Sequence, residues 1–339
     1  MANFAFFSYD WGPYVNLQAP VMQALGAMGH SFLVITRMHT NPQVLMAHQP
    51  DMVIISIASF DRKSDASILQ TTAQMGTPCF VVSETHHTWS TPGVENLIRH
   101  CHAIVASPDE VTEAEQFGYA TASYVACPPA WQHYPNIVPA AVERSSSDEY
   151  LIFMTGNKSP EDTDLVLGWC ADALRSASFK YKIVISTHPA EDQSAMNQNR
   201  REGILARFRA HEIHMGNGDA YQAACDLAIS PAACSTAVVA AFRRQPVICP
   251  MDEHFRRINA EKQFGRPYFY PADPRVGACI LSNPNKLSED IKRMLLDKTS
   301  RDELYMRQKA AYPILDTKEP SERAIARFLI NQISQPPAK

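Results

Sequence analysis

The chain has 339 residues, enough for two domains at about 150 residues each, and either half can bury a core without disulfide or metal staples. Apolar residues make up 45% and charged residues 19%, a balance that excludes a mainly disordered chain. The formal net charge of −4 supplies no basic field for nucleic acid, and no apolar run nears the roughly 20 residues that span a bilayer.

In chain order the pattern is βα throughout. Apolar runs at 4–8, 32–36, 52–58, 79–83, 103–106 and 124–127 predict buried strands. Between them lie helix-length segments at 17–28, 42–48, 64–74, 92–100 and 110–117. Pro42, Pro78 and Pro92 stand at element starts, where a missing N–H costs little. The N-terminus has neither a basic n-region nor a small-residue cleavage site, so it reads as a strand and not as an export signal. A cytoplasmic protein with reduced thiols is expected. Its eight cysteines are scattered and form no CxxC pair, so no metal site is expected from them.

The composition then shifts. Pro128, Pro129, Pro135 and Pro139 precede a polar, aperiodic stretch at 143–149, the best interdomain linker in the chain. The βα pattern restarts with strands at 150–154, 182–186, 213–215, 227–230, 246–250 and 278–281. Helices are expected at 161–177, 201–209, 220–225 and 236–243, and two more, 286–296 and 322–333, close the chain. The fold class is α/β, with two Rossmann-like domains facing a central cleft: residues 1–145, residues 150–320, and a crossing helix in 321–339.

Several motifs are missing. The first strand runs into Ser8-Tyr9-Asp10-Trp11-Gly12-Pro13, not GxGxxG, and no GxxxxGK[ST], GxSxG or HExxH occurs. With only 13 glycines, phosphate handling must rest on helix starts and side chains. Asp162-Thr163-Asp164 has the spacing of a metal-binding DxD. It stands in the first turn of a predicted helix, where carboxylates favour the positive end, and the capping reading outweighs the metal one. A buried strand at 227–230, a small-residue loop and a helix opening with Ser235-Thr236 make a ready anion site, although Ser and Thr are also ordinary caps.

With the strand ending in Thr187-His188-Pro189, the order and spacing of these motifs resemble the donor-binding domain of GT-B glycosyltransferases. A His-Pro followed by Ser-Thr is similar to bacterial capsule sialyltransferases and teichoic acid glycerophosphotransferases. Asn259-Ala260 falls where MurG-like members carry Asn-Ala, and Gly156-Asn157-Lys158 matches the loop after the donor domain's first strand. The resemblance covers most of residues 150–333 and implies donor contacts from Gly156, Asn157, Lys158, His188, Met215, Ser235, Thr236 and Asn259. At the slot where many such enzymes bind the ribose through glutamate stands Val239, which implies a ribose contact that is missing or made by another group.

The N-terminal half is expected to supply the acceptor side and the general base. The candidates at strand ends are His87 and Glu84, in the loop 83–89, ahead of Asp10. Trp89 and Trp11 are candidates to stack on a sugar, although aromatics more often pack. The expected function is transfer of a sugar from a UDP- or CMP-type nucleotide-sugar, inverting and metal-independent, to a glycan, lipid or small-molecule acceptor. The nucleotide-sugar is a co-substrate and no separate cofactor is expected. The alternatives are a nucleotide-sugar 2-epimerase and a non-catalytic GT-B-like binding protein; a periplasmic two-lobed binder would need an export signal.

Overall fold

The computed structural model describes residues 1–8, 14–36, 42–56, 62–90, 93–156, 159–187, 195–215, 218–231, 235–261, 266–313 and 319–334. The chain forms two compact units. One comprises Met1–Gln132 with Asp316–Lys339, the other His133–Glu261 with Arg266–Leu315.

The first unit is built from β1 (Asn3–Ser8), α1 (Ala19–Ala27), β2 (Ser31–Thr36), α2 (Pro42–His48), β3 (Met52–Ser56), α3 (Arg62–Met75), β4 (Cys79–Val82), β5 (Cys101–Ile104), α4 (Glu110–Phe117) and β6 (Thr121–Ser123). Its sheet is parallel, in the order β2-β1-β3-β4-β5-β6. The period of two along a strand sends alternate apolar residues into two cores. Ala5 and Phe7 of β1 join Leu45, Ile68 and Leu69 from α2 and α3, whereas Phe4 and Phe6 join Leu17, Val21 and Leu25 from the α1 side. Two covered faces explain why these strands read as continuous apolar runs.

The second unit follows with β7 (Tyr150–Thr155), α5 (Pro160–Leu174), β8 (Tyr181–Thr187), α6 (Ala195–Leu205), β9 (His211–Met215), α7 (Asp219–Ala224), β10 (Leu227–Ile229), α8 (Ser235–Phe242), β11 (Val247–Pro250), α9 (Glu253–Arg256), β12 (Ile280–Ser282), α10 (Leu287–Leu296) and α11 (Lys298–Ala311). Its parallel sheet has the order β12-β11-β10-β7-β8-β9. The last helix, α12 (Ser321–Ser334), returns to the first unit, where Ile325, Ala326 and Leu329 are buried beside Leu17 and Val21. Two α/β units with Rossmann-like parallel sheets are thus the architecture.

Four differences from the sequence reading have physical reasons. Residues 93–100 form turns, not a helix: Gly93 takes φ +96° and its N–H is captured by Glu95 Oε2 at 2.8 Å. The sixth strand is Thr121–Ser123, upstream of the apolar 124–127 run, because Ala120 N–H already pairs with Cys101 O. Helix α11 is additional; its polar sequence hid it, but Asp297 caps it by accepting from Thr299 N–H at 2.9 Å. The polar stretch 143–149 does not separate the units, which part at Gln132/His133. It is tied into the second unit, where buried Glu149 accepts from Ser145 N–H and Oγ at 2.7 and 2.8 Å, and Arg144 pairs with Asp226.

Candidate functional site

Parallel α/β sheets present ligand-binding loops at the carboxyl ends of their strands, above all where the strand order reverses. In the second unit the reversal lies between β7 and β10, since β7 has β8 on one side and β10 on the other. Gly156 follows β7, and its N–H donates to Ser186 O at 2.7 Å. The loop after β10 leads into α8, whose first residues are Ser235, exposed, and Thr236, buried. Gln222 holds this helix start by donating from Nε2 to Thr236 O at 2.9 Å.

The same rim carries Thr187, buried at the end of β8, and Met215, which pairs with it in register. Gly218 is pressed so close that a Cβ would lie 2.6 Å from Ser186 Oγ and 2.8 Å from Phe153 Cζ. The structure therefore gathers Gly156, Met215, Ser235 and Thr236 at one end of one sheet. Of Met215 and of Asn259, which lies in the turn of π-helix Arg257–Glu261, the backbone alone is described. Asn157, Lys158 and His188 lie outside the described residues, as does Asp10 in the other unit.

Asp162 and Asp164 serve the helix. Ser159 caps α5 by accepting from Asp162 N–H at 3.1 Å, while buried Asp164 is bound by Arg200 and by Arg201, the latter at 2.8 Å. Among the described residues no group of three His, Cys, Asp or Glu side chains suits a metal ion.

In the first unit the loop after β4 brings His86 and His87 onto Glu110, the first residue of α4. Glu110 is 1% exposed. Its Oε1 accepts from His87 N–H at 2.9 Å and contacts His86 Nδ1 at 3.1 Å, and its Oε2 accepts from Ala106 N–H at 3.1 Å. Burial pushes this carboxyl up, yet His86, His87 and the hydrogen bonds outweigh it and hold the carboxyl below its ordinary range. A carboxylate only accepts, so Nδ1 of His86 is the protonated ring nitrogen.

His87 Nδ1 lies 3.4 Å from Glu110 Oε1 and 3.8 Å from Glu113 Oε2. His87 also has φ +60°, a left-handed backbone that a non-glycine residue holds at a cost and that its surroundings must impose. Ser90 does part of this, donating from N–H and Oγ to His87 O. Carboxylates behind one ring nitrogen orient the imidazole and stabilise the cation formed when the other takes a proton. Glu84, half-buried, accepts from Asn16 Nδ2 at 2.9 Å.

Two readings change. Trp89 is fully buried, edge-on to Phe117 and Tyr119, with its carbonyl bound by Tyr119 Oη, so it is core and no sugar platform. Trp11 lies outside the described residues. Glu110 is the functional candidate that the sequence reading passed over, because a glutamate opening a helix looks like any first-turn carboxylate. Its signal was Ser107-Pro108-Asp109-Glu110 directly after an apolar strand.

No family profile matches the chain, and no curated protein matches it in sequence. Solved structures do. The chain is similar over 100% of both chains to Staphylococcus aureus MnaA in complex with UDP, with a TM-score of 0.69 at 12% identity. It is similar to the UDP-GlcNAc 2-epimerase of Neisseria meningitidis bound to UDP-GlcNAc, with a TM-score of 0.64 at 11% identity over 97% of this chain and 99% of that one. Acinetobacter baumannii MurG gives 0.59 at 11% identity over 98% and 100%. This likeness shows the fold: two Rossmann-like α/β units of the GT-B type.

Proposed function

We propose that the chain is a glycosyltransferase that moves a sugar from a UDP- or CMP-type nucleotide donor to an acceptor hydroxyl, with inversion. The observation that carries this reading is the placement of Gly156 and the Ser235-Thr236 helix start after the two strands that flank the strand-order reversal of the second sheet, with Thr187 at the end of the neighbouring β8. The N–H groups of such a helix start suit a phosphate, and the two hydroxyls add polar groups. His188 and Lys158 follow β8 and β7 and are assigned to the same phosphates; Asn157 and Asn259 complete the donor contacts.

The nucleotide-sugar is the co-substrate, and no further cofactor is invoked. His87 takes the proton of the acceptor hydroxyl as that oxygen bonds to the anomeric carbon, while the bond to the leaving phosphate breaks. Glu110 keeps the imidazole oriented, with Glu84 and Asp10 as the competing bases. Asp164 is committed to two arginines, which supports transfer without a metal on the Asp162-Thr163-Asp164 segment.

A second reading, epimerisation at the sugar, draws on the likeness to epimerases solved with UDP and UDP-GlcNAc. Epimerisation needs no acceptor. Incubating the protein with UDP-GlcNAc alone, followed by proton NMR of the anomeric signals, separates the two. A new nucleotide-sugar epimer sinks the transferase reading, whereas release of UDP with glycosylation of an added acceptor, and only with it, supports it. Binding without turnover in any mixture leaves a non-catalytic GT-B-like protein.

A further inference from the structure

A cavity of about 470 Å³ opens at the other end of the second sheet. Tyr150 opens β7, Asp226 directly precedes β10 and Pro246 directly precedes β11; all three line the cavity, which therefore lies against the amino ends of parallel strands. The donor rim of Gly156, Thr187 and Ser235 belongs to their carboxyl ends.

Three arginines line this cavity: Arg243, Arg244 and Arg301. The one carboxylate among its lining residues is Asp226, already engaged by Arg144 Nη1 and by Leu151 N–H, both at 2.8 Å. Among the described residues no carboxylate stands in ion-pair range of the three arginines. Asp297 feels Arg301 but spends its oxygens on Thr299 N–H and Ser300 Oγ. Arg243 uses Nη1 on the carbonyls of Tyr134 and Ile137, at 3.2 and 2.9 Å, and Arg301 uses Nη1 on Leu295 O at 2.7 Å. Arg244 donates from Nη1 to Ala241 O and from Nη2 to Tyr312 O, at 2.5 and 2.8 Å, whereas the Nη2 and Nε donors of Arg243 and Arg301 have no partner among the described residues. Burial lowers the pKa of Arg243 and of Arg244, as expected for cations desolvated without an opposing charge.

Arg244 adds a second sign of purpose. It sits just past α8 at φ +54°, a helix-end position that glycine fills at no cost. The dull account is that these arginines satisfy carbonyls at helix ends, and they do. That account needs one or two donors from each. It does not explain three cations around one space, two of them, Arg243 and Arg301, with Nη2 and Nε unused.

We propose that this cavity is a second anion site, taking a small phosphoryl compound of two or more negative charges. One fork saturates a carboxylate, whereas a phosphoryl group offers three strong acceptor oxygens to several forks at once. Tyr150 and Tyr305 also line it and carry neutral hydroxyl donors, and the volume falls in the range of small-molecule sites. The proposal does not depend on the donor reading, because the two sites occupy opposite ends of the sheet.

The test is calorimetric titration of the full chain with pyrophosphate in a Ser235→Ala/Thr236→Ala background, which silences the donor rim. Binding should persist there and weaken as ionic strength rises. Arg301→Gln should raise the Kd at least about tenfold, with Arg301→Lys intermediate because it keeps charge without the fork. A melting curve of each variant checks folding, and Arg301 is chosen because its described side-chain hydrogen bonds go only to the helix-end carbonyls of Met294 and Leu295. Binding weaker than about 1 mM, or unchanged in Arg301→Gln, overturns the proposal.

Discussion

His87 and Glu110 are joined twice: the His87 backbone N–H donates to Glu110 Oε1 at 2.9 Å, and the His87 ring nitrogen Nδ1 lies 3.4 Å from the same oxygen. One buried carboxylate thus hydrogen-bonds the unusual backbone of the residue assigned as base and stands in ion-pair range of its ring. The loop after β4 and the start of α4 act as one piece.

Glu110→Ala should lower stability by roughly 3 kcal/mol, because buried donors lose their acceptor and each such loss costs about 1–3 kcal/mol. The carboxyl is held below its ordinary value of 4.5. Its stabilisation is therefore complete above that value and is lost as pH falls through the lower, folded value. Urea unfolding from pH 3 to 7 should show this loss in the wild type and a flatter profile in Glu110→Gln. A parallel profile in the two proteins contradicts it.

His87→Ala should reduce kcat by about 10² to 10⁴ with little change in donor affinity, since the base belongs to the first unit. Saturating-donor kinetics and calorimetry give the two numbers. If Glu84→Ala or Asp10→Ala abolishes turnover while His87→Ala does not, the base has been assigned to the wrong residue.

Gly218→Ala should destabilise by about 1–3 kcal/mol. The added Cβ meets Ser186 and Phe153, which are 2% and 1% exposed and have no room to move aside. A melting temperature equal to wild type would show that the rim is looser than its geometry.

Turnover should persist in EDTA, because Asp164 is occupied by Arg200 and Arg201 and Asp162 stands in a capped first turn. Loss of rate in EDTA that magnesium or manganese restores would contradict this.

Much of the fold was legible because both sheets are covered on two faces, so runs such as Phe4-Ala5-Phe6-Phe7 had to be buried strands. The helix 298–311 was not, because it buries little beyond Leu304 and Gln308 and depends on its Asp297 cap. The segment 93–100 has the apolar spacing of a helix in Val94, Leu97 and Ile98, but Gly93 and its bond to Glu95 commit it to turns. In the site, Ser235-Thr236 and His87 were visible as hydroxyls and an imidazole at strand ends. The partner Glu110 was not, because 23 residues separate it from His87 and only the pairing of β4 with β5 brings them together.

The central claim is a nucleotide site at the Ser235-Thr236 helix start. The direct measurement is calorimetric titration of UDP and CMP, with their sugars, into wild type and Ser235→Ala/Thr236→Ala. At about 100 times its Kd a nucleotide adds roughly 2.7 kcal/mol of stability, so melting curves provide a second reading of the same binding. The account predicts that at least one nucleotide binds the wild type and that the double variant loses about 1.5–3 kcal/mol of that affinity. A panel in which none binds, or in which the double variant binds as tightly as wild type, contradicts it.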